Sequence, residues 1–163
     1  MRILFATDFS EGAAAARREV IRLARLLAAE VVVVHVLLDE PDYWDRRIDM
    51  VTRPPDATHL QLAEAKLESE LRLVRGASGT AVRGLLRRGS PAEEIVRVAA
   101  DERADLVVMG AHGAGFSGLV VIGSVAARVI RTAPCPVMTV PTPGPLRRPT
   151  RSELSRTPVG APP

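Results

Sequence analysis

Four small residues mark the stretch of this chain best suited to chemistry. Within GAHGAGFSGLVVIGS, two residues separate Gly110 from Gly113, and nine more separate Gly113 from Gly123 and Ser124. The apolar run Leu106 to Met109 comes immediately before. A buried strand that opens into a glycine-rich loop and then a helix is a way to hold phosphate. Glycine lets the backbone approach a ligand closely, and the N–H groups at a helix start, with the positive end of its dipole, attract an anion. Nucleotides are therefore the leading ligand class.

Three loop chemistries compete for these glycines. A Walker loop requires GxxxxGK[ST]; the segment holds no lysine, which argues against ordinary P-loop catalysis. The dinucleotide string GxGxxG occurs at Gly113, Gly115 and Gly118, but LVVIG follows it instead of an immediate helix. About 20 residues further on stands Met138, where a ribose hydroxyl would require an acid. The third chemistry uses Gly110, Gly113, Gly123 and Ser124 together with an upstream acid, Asp8. Each also has a plainer role. Asp8 can cap the first helix, Gly110 and Gly113 can make a turn, Gly123 can permit close helix packing, and Ser124 can cap a helix. Occurring together, they favour phosphate binding.

The remaining titratable groups are less informative. His112 lies inside the loop, yet no sequence-local carboxylate pairs with it as base and orienter. His35, in an apolar strand, reads as a satisfied core histidine, and His59 as a surface helix residue. Cys135, between Pro134 and Pro136, reads as a buried thiol at a strand entrance. No metal-ligand spacing occurs, and no residue is assigned a catalytic role.

The elements that must position these residues follow from apolar patterning. Ile3 to Ala6 is a short strand ending in the polar residues Thr7, Asp8 and Ser10. Glu11 to Ala29 carries Val20, Leu23 and Leu27 at helical spacing, and Val31 to Leu38 is a nearly continuous aliphatic run suited to a buried parallel strand. An irregular excursion over 39–56, with Tyr43 and Trp44, precedes a helix at Ala57 to Arg75, for which Thr58 and Gln61 can form a capping box. Ala81 to Leu86 is a weaker strand interrupted by Gly84. Ser90, Pro91 and Glu93 announce a helix over Ala92 to Glu102 with a hydroxyl cap and proline at its first position. Leu106 to Met109 is the next strand, Ser124 to Arg131 the next helix, and Val137 to Val140 the last strand. Strands alternating with helices imply a doubly wound α/β fold with a parallel sheet covered on both faces.

Composition agrees and narrows the function classes. A chain of 163 residues with 47% hydrophobic, 25% charged and 3% aromatic residues builds one domain with an aliphatic core. The pI of about 9.9 suggests nucleic acid. However, Arg147, Arg148, Arg151 and Arg156 against Glu153 place the whole formal charge of +3 beyond residue 140. Every basic residue except Lys66 is arginine, and the clustered charge with interleaved aromatics that nucleic-acid sites use is missing. The tail, 142–163, is rich in proline and basic residues and is predicted to be disordered; its arginines beside Thr150, Ser152 and Ser155 also suit a phosphorylated or acidic-partner segment. The single cysteine, an amino end without a secretory pattern, and the lack of an apolar run of ~18 residues point to a cytoplasmic protein with no membrane span.

The spacing G-x2-G-x9-G-[ST] of Gly110, Gly113, Gly123 and Ser124 resembles the nucleotide motif of the ATP-binding branch of universal stress proteins. The resemblance extends to ATDFSEGAAAA, VVHV and PCPVMTVP, and covers residues 1–141, departing over 39–56 and in the tail. It implies a five-stranded sheet of order 3-2-1-4-5, similar to adenine nucleotide alpha hydrolases. It further implies ATP, with or without Mg²⁺, as ligand. Asp8, with Thr7 beside it, would lie near the ribose or adenine, and the backbone of Val36 would read the adenine edge. Gly110 would border the ribose. Gly113, Gly123, Ser124 and the amide of Val125 would hold phosphates, with Met109 and His112 lining the site. A homodimer pairing through the Val137 to Val140 edge is implied as well. Independently, if the first and fourth strands are neighbours, their carboxyl ends form a switch-point crevice, and Asp8 and Gly110 leave those two ends. A nucleotide-dependent regulatory protein, an interaction module of the same fold without nucleotide, and a slow ATPase all stay open on sequence.

Overall fold

The computed structural model describes residues 1–38, 57–113 and 122–142. The excursion 39–56 with Tyr43 and Trp44, loop residues 114–121 with Gly115 and Gly118, and the tail from 143 onward lie outside the described residues. The element order is β1 (Arg2–Ala6), α1 (Glu11–Leu27), β2 (Glu30–Leu37), α2 (Ala57–Ser78), β3 (Val82–Arg88), α3 (Pro91–Asp101), β4 (Leu106–Gly110), α4 (Ser124–Thr132) and β5 (Val137–Val140). All neighbouring strands are parallel, in the order β3-β2-β1-β4-β5.

Strand periodicity divides the core between the two faces. Ile3, Phe5, Val31 and Val33 face α1 and α2, meeting Val20 and Val74. Leu4, Val32, Val34 and Val107 face α3 and α4, meeting Val98 and Val129. Both faces are buried, so β1, β2 and β4 are aliphatic without alternation, as a covered parallel sheet requires.

Several local expectations are corrected. Helix α1 stops at Leu27, where Ala28 takes a left-handed φ of 47° and its N–H donates to the Ala24 carbonyl. Helix α2 runs through Gly76 to Ser78 and ends before Gly79 at φ 69°. Helix α2 is described from Ala57 onward, and the residues before it lie outside the described set. Gly84 does not interrupt β3, which continues to Arg88. A Cβ there would approach Leu71 Cδ1 to 2.7 Å, so the missing side chain is what lets α2 pack on the strand. Ser90 stands at the N-cap of α3 with Pro91 following, but its hydroxyl makes no capping bond.

Candidate functional site

The sheet order places β1 between β2 and β4, so the chain reverses its direction of travel across the sheet at the β1/β4 boundary. Ala6 is in register with Met109. Thr7 and Asp8 therefore leave one strand beside the point where Gly110 ends the other.

The turn after β1 is built from its own polar groups. Thr7 is buried, its N–H donates to the Val34 carbonyl at 3.0 Å, and its Oγ1 accepts from the Phe9 N–H at 3.1 Å. The exposed Asp8 accepts from the Ser10 N–H through Oδ1 at 3.0 Å. Ser10 is the N-cap of α1, accepting from the Ala13 N–H. The capping alternative for Asp8 is thus resolved: Ser10 does that work, and Asp8 stands outside the helix.

Three glycines bring the distant segments together. A Cβ on Gly113 would lie 2.7 Å from Asp8 Oδ2, so the loop after β4 runs directly against the carboxylate. A Cβ on Gly110 would lie 2.8 Å from the Gly12 carbonyl carbon and 3.0 Å from the His112 oxygen. A Cβ on Gly12 would overlap that same His112 oxygen, so the start of α1 and the β4 exit pack backbone to backbone. Sequence reading missed Gly12 as a site residue. The signal was a glycine in the first turn of a helix otherwise rich in alanine, where propensity alone would favour another alanine.

Gly123 returns the loop to the sheet. Its N–H donates to the Ala111 carbonyl at 2.8 Å, and it is the N-cap of α4, with Ser124 the first helical residue. Ser124 is therefore not the cap, as sequence allowed. The first bond inside the helix runs from the Ala127 N–H to the Gly123 carbonyl. Ser124 is exposed, whereas Val125 is half-buried against the α3/α4 core. Val36, near the end of β2, lies two residues beyond the Val34 partner of Ala6, past the end of β1. Met109 is buried in the core facing α3 and α4, and His112 is half-buried beside Gly12.

His35 is satisfied, as read from sequence. Its Nδ1 lies 2.8 Å from the Thr7 carbonyl and its ring 4.3 Å from that of Phe9. Burial pushes its pKa down, against the opposing pulls of the Thr7 carbonyl and the Asp8 carboxylate. Cys135 is half-buried before β5, and burial raises its thiol pKa. Among the described residues, no group of three or more His, Cys, Asp or Glu side chains is placed to hold a metal ion.

Comparison with known proteins agrees with this fold. The model of the universal stress protein family matches residues 1–141. The universal stress protein MJ0577 of Methanocaldococcus jannaschii is 32% identical over 121 residues, spanning 66% of this chain and 74% of that protein. The structure of UspA from Lactobacillus plantarum is similar with a TM-score of 0.71 at 25% identity, covering 86% of this chain and 97% of that one. A universal stress protein from Archaeoglobus fulgidus, solved in complex with dAMP, is similar with a TM-score of 0.64 at 25% identity, covering 86% and 97%. Matching in sequence from β1 to β5 and in the reversal of the sheet at β1, this chain belongs to the universal stress protein family.

Proposed function

We propose that this chain binds an adenine nucleotide, ATP, in the crevice between the ends of β1 and β4, and acts as a nucleotide-dependent regulatory protein of the stress response. The observation that carries the proposal is the meeting of Asp8 with Gly113, residues on opposite sides of the switch point and distant in sequence, at 2.7 Å from oxygen to virtual Cβ. Backbone contact between Gly12 and the Gly110–His112 stretch supports the reading by fixing the α1 start against the β4 exit beside that meeting. In this proposal Asp8 and Thr7 flank the ribose or adenine, the Val36 backbone reads the adenine edge, and Gly110 borders the ribose. The backbones of Gly113 and Gly123, with Ser124 and the Val125 amide, hold phosphates at the α4 start. Met109 underlies the crevice and His112 borders it. The dAMP complex of the Archaeoglobus fulgidus relative supports an adenine nucleotide as the ligand class.

Mg²⁺ enters this proposal as a counter-ion of the triphosphate and not as an ion caged by protein side chains. Fast phosphoryl transfer requires positioned cations and a group that orients water. Phosphate release measured with and without Mg²⁺ is accordingly proposed to be slow. The cytoplasm is the proposed location, consistent with the single Cys135. No helix among the described residues is long and apolar enough to cross a membrane.

The proposed assembly is a homodimer through β5. The opposite edge, β3, carries Arg83, Arg87 and Arg88, which discourage pairing, whereas β5 reads VMTV with no charge. The Val107 N–H donates to the Pro136 carbonyl and the Ala111 N–H to the Val140 carbonyl. By strand alternation, Val137 and Thr139 aim their backbone groups away from β4, toward a second strand.

Gly123→Val tests the cradle. A Cβ at Gly123 would already sit 3.3 Å from the Ala111 oxygen, and the added methyls of valine crowd the α4 start. The variant is expected to remain folded by circular dichroism and to lose ATP binding in calorimetry. Wild-type affinity in a folded variant would remove Gly123 from the site.

A further inference from the structure

The structure holds a second layer beneath the crevice, made by three side chains from three elements. Phe9 has a left-handed φ of 62°, a conformation unfavourable for a bulky L-residue that persists only where its surroundings impose it. Those surroundings are identifiable. The Phe9 N–H is held by Thr7 Oγ1 at 3.1 Å, its ring lies 4.3 Å from the His35 ring at 37°, and Lys66 Nζ from α2 stands 5.9 Å from the ring centroid. His35 also grips the residue preceding Asp8, with Nδ1 at 2.8 Å from the Thr7 carbonyl. Through Asp8 Oδ1 and the Ser10 N–H at 3.0 Å, this fixed turn sets where the second carboxylate oxygen points, which is toward Gly113.

We propose that His35 is a positioning residue for the crevice: by donating to the Thr7 carbonyl and packing on Phe9, it holds the turn after β1 in the conformation that presents Asp8 to Gly113. The effect on ligand rests on the nucleotide-binding proposal above, whereas the effect on the turn does not. A carbonyl only accepts, so Nδ1 carries the proton and Nε2 is bare in the neutral ring. Burial favours that neutral ring at pH 7, with Asp8 and Lys66 as the charged groups facing it.

The test compares the full chain with His35→Leu, which removes donor and ring, and His35→Asn, whose amide nitrogen can replace Nδ1. Amide hydrogen exchange at Phe9, Ser10, Ala13 and Ala14 is expected to accelerate about fivefold in His35→Leu, a lost hydrogen bond being worth ~1 kcal/mol, and to return to within roughly twofold in His35→Asn. Exchange in α3 and α4 is expected to stay unchanged. Nitrogen-15 NMR of the wild-type ring at pH 7.5 is expected to show a protonated Nδ1 and a bare Nε2. ATP affinity, by calorimetry, is expected to fall about tenfold in His35→Leu and recover in His35→Asn. Wild-type exchange in His35→Leu, acceleration spread evenly through α3 and α4, or an Nε2-protonated ring would overturn the proposal. Failure of the wild type to bind ATP would instead count against the nucleotide proposal, and the exchange pattern would still decide the role of His35.

Discussion

Replacing Gly113 with alanine should separate binding from folding, because the added methyl meets a carboxylate and not the backbone. The new Cβ would lie 2.7 Å from Asp8 Oδ2, whereas ordinary contact begins near 3.4 Å, so the oxygen must retreat by about 0.7 Å. Gly113 is not among the glycines with positive φ, so its backbone accepts alanine. Asp8 is exposed and has solvent to move into, so stability should change by no more than ~0.5 kcal/mol. The Ser10 N–H tethers the other carboxylate oxygen at 3.0 Å, so the group cannot simply swing aside and keep its aim. A retreat of that size lengthens a normal ~2.8 Å bond from Asp8 to a ribose hydroxyl to the ~3.5 Å limit at which it ceases to be one. A bond to a charged group contributes ~1.5–3 kcal/mol, and partial relaxation puts the loss near its lower end, about tenfold in Kd. Calorimetric ATP titration and a thermal melt on the same samples measure both quantities. Gly12→Ala supplies the contrast: its Cβ overlaps the His112 carbonyl oxygen, a backbone atom with nowhere to go, and should cost about 1–3 kcal/mol of stability. Full ATP affinity in folded Gly113→Ala would refute the placement of Asp8 at the ligand. A large fall in its melting temperature would refute the claim that the contact is functional and not structural.

Two further outcomes concern parts away from the crevice. At the opposite end of the sheet, Arg2 and Arg83 bridge Glu30 and Glu102, with Arg2 to Glu30 at 2.9 Å and Arg83 to Glu30 at 3.4 Å. The arginines hold both carboxyls below the usual glutamate range, Arg2 foremost at Glu30 and Arg83 at Glu102. A depressed folded pKa contributes stability that is present above the unfolded value, about 4.3, and is lost as pH falls through the folded values. The pairs are partly exposed, so Arg83→Met should cost only ~0.5–1 kcal/mol in urea denaturation at pH 7, and the difference from wild type should vanish in acid once both carboxyls are protonated. At the β5 edge, Thr139→Pro removes an outward N–H without touching the bonds to β4, and ultracentrifugation should show a folded monomer in place of the proposed dimer.

Much of the fold was legible because its determinants are local. The aliphatic runs Ile3 to Ala6, Val31 to Val34 and Leu106 to Met109 carry the strands, and their parallel direction follows from alternation with helices, whereas the strand order came with the family resemblance. What was not legible depends on contacts remote in sequence. Gly84 looks like a break in a strand until Leu71 is seen against it. Ser90 has the residue type of a cap, but the side chain makes no such bond. The candidate site divides in the same way. Asp8, Gly113 and Gly123 stand out by type and spacing, whereas Gly12 acquires its meaning only from a His112 carbonyl a hundred residues away in sequence. His35 was legible as satisfied, but its link to Phe9 requires a backbone turn that no periodicity encodes.

The most direct measurement is the ligand state of the purified full chain. Heat-denatured protein should release adenine nucleotide into the supernatant, or, if purified empty, should bind ATP saturably at one site per chain in calorimetry. Absence of adenine nucleotide from the supernatant together with no calorimetric ATP signal from a folded sample would contradict the nucleotide-binding account.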